Sequence, residues 1–132
     1  TIPLGQAAVR RAGSDITIVS WSKQALVCAA ACDTLAAQGV QAELIDLRTI
    51  WPWDRDTVLA SAAKTGRLLV VHEAIQAAGF GAEIAATAAE ATGCKISRLG
   101  APRIPVGYAP VLEAQSRVTA DAIVALVQQL LA

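Results

Sequence analysis

The residues with most chemical potential fall in a few short stretches. His72 is the only histidine, and Glu73 follows it. An imidazole with an unperturbed pKa near 6.5 beside a carboxylate is suited to proton transfer. Shortly after, Gly79-Phe80-Gly81 runs into an alanine-rich stretch that includes Glu83. A glycine turn that opens a helix can offer free N–H groups to a phosphate. Cys28 and Cys32 are four residues apart, a spacing that sets two thiols on one helical face, where they could position two metal ligands. Trp51-Pro52-Trp53 puts two large rings around a proline, and such rings are costly to leave wet.

Each of these has a plainer reading. One histidine with one adjacent carboxylate makes neither a triad nor a metal site. Neighbours on a strand point to opposite faces, so His72 and Glu73 need not share a site. A hydrogen-bonded anchor for a loop or an interface suits His72 better. The dinucleotide fingerprint requires a third glycine at position 84, where Ile84 stands. The glycines therefore read as a turn that lets a helix approach a neighbour closely. No further Cys or His lies near Cys28 and Cys32, and zinc takes four ligands, so both read as small buried hydrophobes. GxSxG, P-loop, HExxH and CxxC signatures are all missing. From the residues alone, no catalytic, cofactor-binding or metal-ligating set emerges. The tryptophans are expected to pack under a loop or against a partner.

The elements that must hold these residues alternate regularly. Ile16–Ser20 is a short β-branched run and reads as a buried strand. Ser22 is placed to cap a helix over Gln24–Gln38 that ends at Gly39. Ala42–Asp46 is a second strand, and Asp54 caps a helix reaching Thr65, closed by Gly66. Arg67–Val71 is the most apolar strand and delivers His72 and Glu73 at its carboxyl end. Gly81–Thr92 is a helix, Lys95–Leu99 a fourth strand, and Ala101–Glu113, with three prolines, an extended loop. A last helix starts at Thr119 or Asp121, with Ile123, Leu126, Val127 and Leu130 at helical spacing on one buried face. Alternating buried strands and helices predict a three-layer α/β/α sandwich on a mostly parallel sheet.

The chain has 132 residues, 55% hydrophobic and 17% charged, which excludes intrinsic disorder and fits one domain. Eleven Lys and Arg balance eleven Asp and Glu. That zero net charge removes the electrostatic case for nucleic acid or an anionic membrane as partner. No apolar run approaches the ~20 residues a membrane helix needs. Three cysteines, an odd number, and no signal-peptide pattern lead us to expect a reducing, cytoplasmic setting. Residues 1–13 read as a linker arriving from an N-terminal domain, with residues 14–132 as the single domain.

Three segments together resemble the C-terminal domain of the transketolase superfamily, in particular the beta subunit of the E1 component of thiamine-dependent 2-oxo acid dehydrogenases. They are Ile2-Pro3-Leu4-Gly5-Gln6-Ala7 with Arg11 to Val19, then Asp46-Leu47-Arg48-Thr49-Ile50 with Pro52, Asp54 and Thr57. The third is Lys64-Thr65-Gly66-Arg67 through Val71-His72-Glu73-Ala74 and on to Gly79-Phe80-Gly81-Ala82-Glu83-Ile84. The resemblance implies a transketolase C-terminal-like fold in an enzyme of the branched-chain 2-oxoisovalerate or pyruvate type. Its thiamine diphosphate and magnesium would be bound by other domains, with no cofactor and no catalytic residue in this one. The implied partners are an E1 alpha subunit, a second E1 beta copy and the subunit-binding domain of an E2 acyltransferase. His72, Glu73, Phe80, Glu83, Trp51 and Trp53 are the candidate subunit-interface residues. An acetoin dehydrogenase beta chain, another superfamily C-terminal domain and a stand-alone anion-binding α/β module are the alternatives.

Overall fold

The structure is a computed structural model that describes all 132 residues. Five strands and five helices follow one another: β1 (Ala8–Arg11), β2 (Ile16–Ser20), α1 (Ser22–Ala37), β3 (Ala42–Asp46), α2 (Arg55–Thr65), β4 (Arg67–Ile75), α3 (Gly81–Thr92), β5 (Lys95–Ala101), α4 (Pro110–Ala114) and α5 (Ala120–Leu131). One sheet has the order β1-β3-β2-β4-β5. β2, β3, β4 and β5 pair in parallel, and β1 runs antiparallel along β3.

The period-2 alternation of each buried strand separates the core into two halves. Ile16 and Ile18 of β2 and Leu69 and Val71 of β4 face one side, where Cys28, Ala31, Cys32 and Leu35 of α1 meet Ile123, Val127 and Leu130 of α5. Val19, Ile45, Leu68 and Val70 face the other, against Val58 and Ala62 of α2 and Ile84 and Ala88 of α3. These are the three layers expected from the sequence. Full burial of each Leu, Ile or Val contributes ~1.5–3 kcal/mol, so the two half-cores dominate the stability of the fold.

Several boundaries differ from the sequence reading, each for a local reason. The stretch read as a linker contains β1, which extends the sheet and is tied down by an ion pair from Arg10 to Asp46 of β3 at 2.9 Å. Ser22 does not cap α1: it takes a left-handed φ of 56°, Trp21 holds the extended cap position, and no side chain caps that end. β4 continues beyond Val71 to Ile75 and β5 beyond Leu99 to Ala101, because Ile75 and Ala101 pair after an irregularity in the ladder. The proline-rich segment is not loop throughout, since Pro110 opens the one-turn helix α4. Asp54 caps α2 as expected, accepting from the Thr57 N–H at 3.1 Å. Thr119 caps α5, and Val124 joins Ile123, Val127 and Leu130 on its buried face in place of Leu126.

Candidate functional site

In an open α/β sheet, ligands bind beyond the carboxyl ends of the strands, where neighbouring strands send their connections in opposite directions. Here that point lies between β2, whose chain leaves toward β3, and β4, whose chain leaves toward β5. The first residue after β2 is Trp21, and His72 stands in the carboxyl half of β4. Their rings stack at 5.4 Å between centroids and 24° between planes. Phe80, just before α3, sets its edge to Trp21 at 6.0 Å and to Trp53 at 6.3 Å. The crevice that binds ligands in many such folds is filled by the protein's own aromatic side chains.

His72 is the keystone of this plug. Its ring is fully buried, and Nδ1 lies 3.0 Å from the Ala74 carbonyl oxygen. A carbonyl can only accept, so Nδ1 carries the proton and Nε2 holds a lone pair. Nε2 is buried and has no partner. Burial lowers the pKa of His72 from its ordinary value, and the Arg98 charge adds to that, against the opposing bond to Ala74. The imidazole is therefore neutral at physiological pH.

Three glycines make room for it. A Cβ on Gly79, Gly81 or Gly100 would come within 2.6–2.7 Å of His72 ring atoms. This answers the phosphate question raised by Gly79-Phe80-Gly81. The space beside both glycines holds an imidazole, so the turn is a socket for His72 and not an anion cradle.

The remaining candidates scatter. Glu73 is exposed on the opposite side of the strand from His72 and shares a small cleft with Lys23 and Arg117. Glu83 is exposed on the first turn of α3. Trp53 is the half-buried member of its pair, whereas Trp51 is 79% exposed. Cys28 and Cys32 lie inside the core, and burial raises their thiols to about 12 and about 11, which leaves them protonated and inert. Of the six candidates, the structure brings together His72, Phe80 and Trp53. The sequence reading passed over Trp21, although its position directly after a strand places it at the same end as His72.

Around the plug, apolar side chains face outward: Ile50 and Trp51 after β3, Ile75 at the end of β4, and Ile104, Val106 and Tyr108 after β5. Tyr108 is fully exposed. All belong to loops or strand ends at the carboxyl side of the sheet.

Residues 5–123 match the family model of the transketolase C-terminal domain. The chain belongs to that family. It is 53% identical over 89 residues to 2-oxoisovalerate dehydrogenase subunit beta 2 of Arabidopsis thaliana, covering 67% of this chain and 25% of that one. It is 37% identical over 135 residues to the acetoin:2,6-dichlorophenolindophenol oxidoreductase subunit beta of Bacillus subtilis, covering 99% of this chain and 40% of that one. A split-gene transketolase solved as an inactive beta4 tetramer superposes with a TM-score of 0.90 at 26% identity, over 98% of this chain and 43% of its own. The chain thus spans less than half the length of these relatives.

For a transketolase C-terminal domain, the question is whether thiamine diphosphate and magnesium could be held here. No group of three or more His, Cys, Asp or Glu lies close enough to hold a metal ion. Two of the carboxylates near this end are already engaged, Asp46 with Arg10 and the Arg48 N–H, and Asp54 with the Ala7 N–H and Thr57. The one glycine turn at a helix start is filled by His72.

Proposed function

We propose that this chain is the C-terminal domain of the beta subunit of a thiamine-dependent 2-oxo acid dehydrogenase, and that it works by association and not by chemistry. The observation that carries the reading is the plugged crevice. Where an α/β enzyme would keep a ligand site, Trp21, His72, Phe80 and Trp53 pack on one another, and the apolar side chains around them face outward. A domain whose strand-end crevice is closed, but which carries such a face, fits an assembly role. The 53% identity to a 2-oxoisovalerate dehydrogenase beta subunit supports the branched-chain type. The carboxyl-end face would meet an E1 alpha subunit or a second beta copy, and the domain would also dock an E2 acyltransferase. The parent enzyme would remove carbon dioxide from a 2-oxo acid and pass the acyl group to the lipoyl group of that E2. The isolated domain would be inactive.

A second reading of the substrate is favoured by one observation. The acetoin oxidoreductase beta subunit aligns over 99% of this chain, further than the branched-chain relative does. The test is to co-express the full-length chain carrying these residues with its alpha partner and measure thiamine-dependent reduction of an artificial acceptor. Turnover with 2-oxoisovalerate is expected. Turnover with acetoin alone would favour the second reading, and turnover with neither, nor with pyruvate, would overturn both. In that enzyme His72→Ala should lower turnover per assembled complex by less than about tenfold, since a general acid or base contributes roughly 10²–10⁴. A thousandfold loss with assembly intact would make His72 a chemical group.

A further inference from the structure

Next to the plug, at the carboxyl end of edge strand β5, an open cleft of about 430 Å³ is lined by Gln76, Ala77, Arg98, Gly100, Pro102 and Arg103, with Ala101 at its floor. Two guanidinium groups line it and no carboxylate does. That is a local excess of positive charge in a chain whose net charge is zero. Neither guanidinium makes an ion pair within the chain, and among the seven Lys and Arg without one, these two share a cleft.

The cleft is also built. Gln76 clamps it with three hydrogen bonds. Its N–H donates to the Ala101 carbonyl at 2.9 Å, its side-chain Oε1 accepts from the Gly100 N–H at 3.2 Å, and its own carbonyl accepts from Arg98 Nη1 at 3.0 Å. One corner of the Arg98 guanidinium is thereby fixed, and its other donors stay free. Arg103 is exposed and bonds to nothing in the protein. The Ala77 N–H makes no hydrogen bond within the chain, and Ala78 beyond it holds a left-handed φ of 61°, a conformation costly for a residue with a Cβ.

We propose that this cleft is a binding site for a small anionic ligand, whose phosphate or carboxylate group sits between Arg98 and Arg103 and accepts from the Ala77 amide. Guanidinium forks match the oxygens of both groups, and the volume suits a small molecule. The site adjoins the aromatic plug, sharing Gly100 with the His72 socket, and does not depend on the identity of the parent enzyme.

The test is an amide and arginine side-chain NMR titration of the 132-residue chain in low-salt buffer. Inorganic phosphate and succinate are added in separate arms, with potassium chloride at matched ionic strength as control. Saturable shifts at Ala77, Gly100 and the Arg103 Nε are expected at millimolar concentration. Arg103→Gln should weaken binding by about fivefold or more, with the melting temperature unchanged, because Arg103 supports no other contact. Saturation by succinate alone would keep the site and assign it to carboxylates; saturation by phosphate would assign it to phosphates. Shifts that stay linear to about 50 mM, that chloride reproduces, or that persist unchanged in Arg103→Gln would overturn it.

Discussion

The two ends of the sheet solve opposite problems. At the amino end, buried polar groups are joined into one satisfied network. Glu43 of β3 accepts from Ser61 at 2.5 Å, from Lys64 and from the Gly13 N–H, and Thr17 lies 2.6 Å from Ser61 and 2.8 Å from Thr65. At the carboxyl end, the buried His72 Nε2 has no partner, and large apolar side chains face outward. The amino end is finished within this chain. The carboxyl end is internally plugged and leaves apolar side chains outside, as the proposed assembly role requires.

The largest effect should come from unseating the plug. In Gly81→Val the new Cβ meets His72 Cδ2 at 2.6 Å, and Val70 leaves no room to shift. We expect a loss of roughly 3 kcal/mol, at the upper end of overpacking penalties, read as a shift in the urea midpoint. Gly93→Ala is the comparison at a glycine with open space around it. Gly93 has a positive φ of 62° but no atom within 4 Å of a Cβ, so only about 1 kcal/mol of backbone strain is expected. A loss in Gly81→Val no larger than that in Gly93→Ala would mean that the ring socket is not tightly filled.

Next comes the amino-end network. Glu43→Ala removes the acceptor for Ser61, Lys64 and the Gly13 N–H at once, and the first is buried. A loss of about 2 kcal/mol is expected from the groups left unpaired. Thr17→Val on top of it should cost less than it does alone, because the two positions share Ser61. Full additivity would show that the network is not one unit.

Acid should separate the two ends by pH. The pKa of His72 is lowered chiefly by burial, so the unfolded chain binds its proton first. The stability it contributes is complete above its unfolded value of about 6.5 and falls as pH drops below that. For Glu43, burial alone would raise the carboxyl, but hydrogen bonds from Lys64, Ser61 and Gly13 outweigh it and hold it below its ordinary value. Its contribution is complete above about 4.5 and is lost only as pH falls further through the folded value. Protection factors of amides at the carboxyl end, corrected for intrinsic exchange, should therefore fall as pH drops below about 6.5, while those around Glu43 are kept until pH falls below about 4.5. Simultaneous loss would merge the two ends into one cooperative unit.

How much of this was legible in the sequence follows from how local each signal is. The strands of the half-cores, the Asp54 and Thr119 caps and the left-handed glycines Gly66 and Gly93 depend on a few neighbouring residues, and they stand where the patterns put them. β1 was hidden because an antiparallel edge strand of four residues has too short an alternation, and its pairing with β3 is a long-range fact. The partnership of His72 with Trp21, Phe80 and three glycines was hidden for the same reason, since it joins residues 21 to 100. The Arg98–Gln76–Arg103 cleft gave no sequence signal. Its members are ordinary polar residues brought together by the register of β4 against β5.

The smallest expected effect is on the isolated chain itself, and it tests the incompleteness of the carboxyl end most directly. Trp51 is 79% exposed and has no ring partner, whereas Trp53 reaches Phe80. Trp51→Ser should therefore change the stability of the isolated chain by no more than about 0.5 kcal/mol, as for surface positions in general. Trp51→Phe should move the mean tryptophan emission to shorter wavelength, because the emitters left, Trp21 and Trp53, lie in the aromatic cluster. In the assembled enzyme the same Trp51→Ser change should weaken association by about 2 kcal/mol if the ring anchors in a partner, as buried interface tryptophans do. The two measurements must diverge for the comparison to stand. A large loss in the isolated chain would show that Trp51 is packed by its own domain, and the carboxyl end would then be as finished as the amino end.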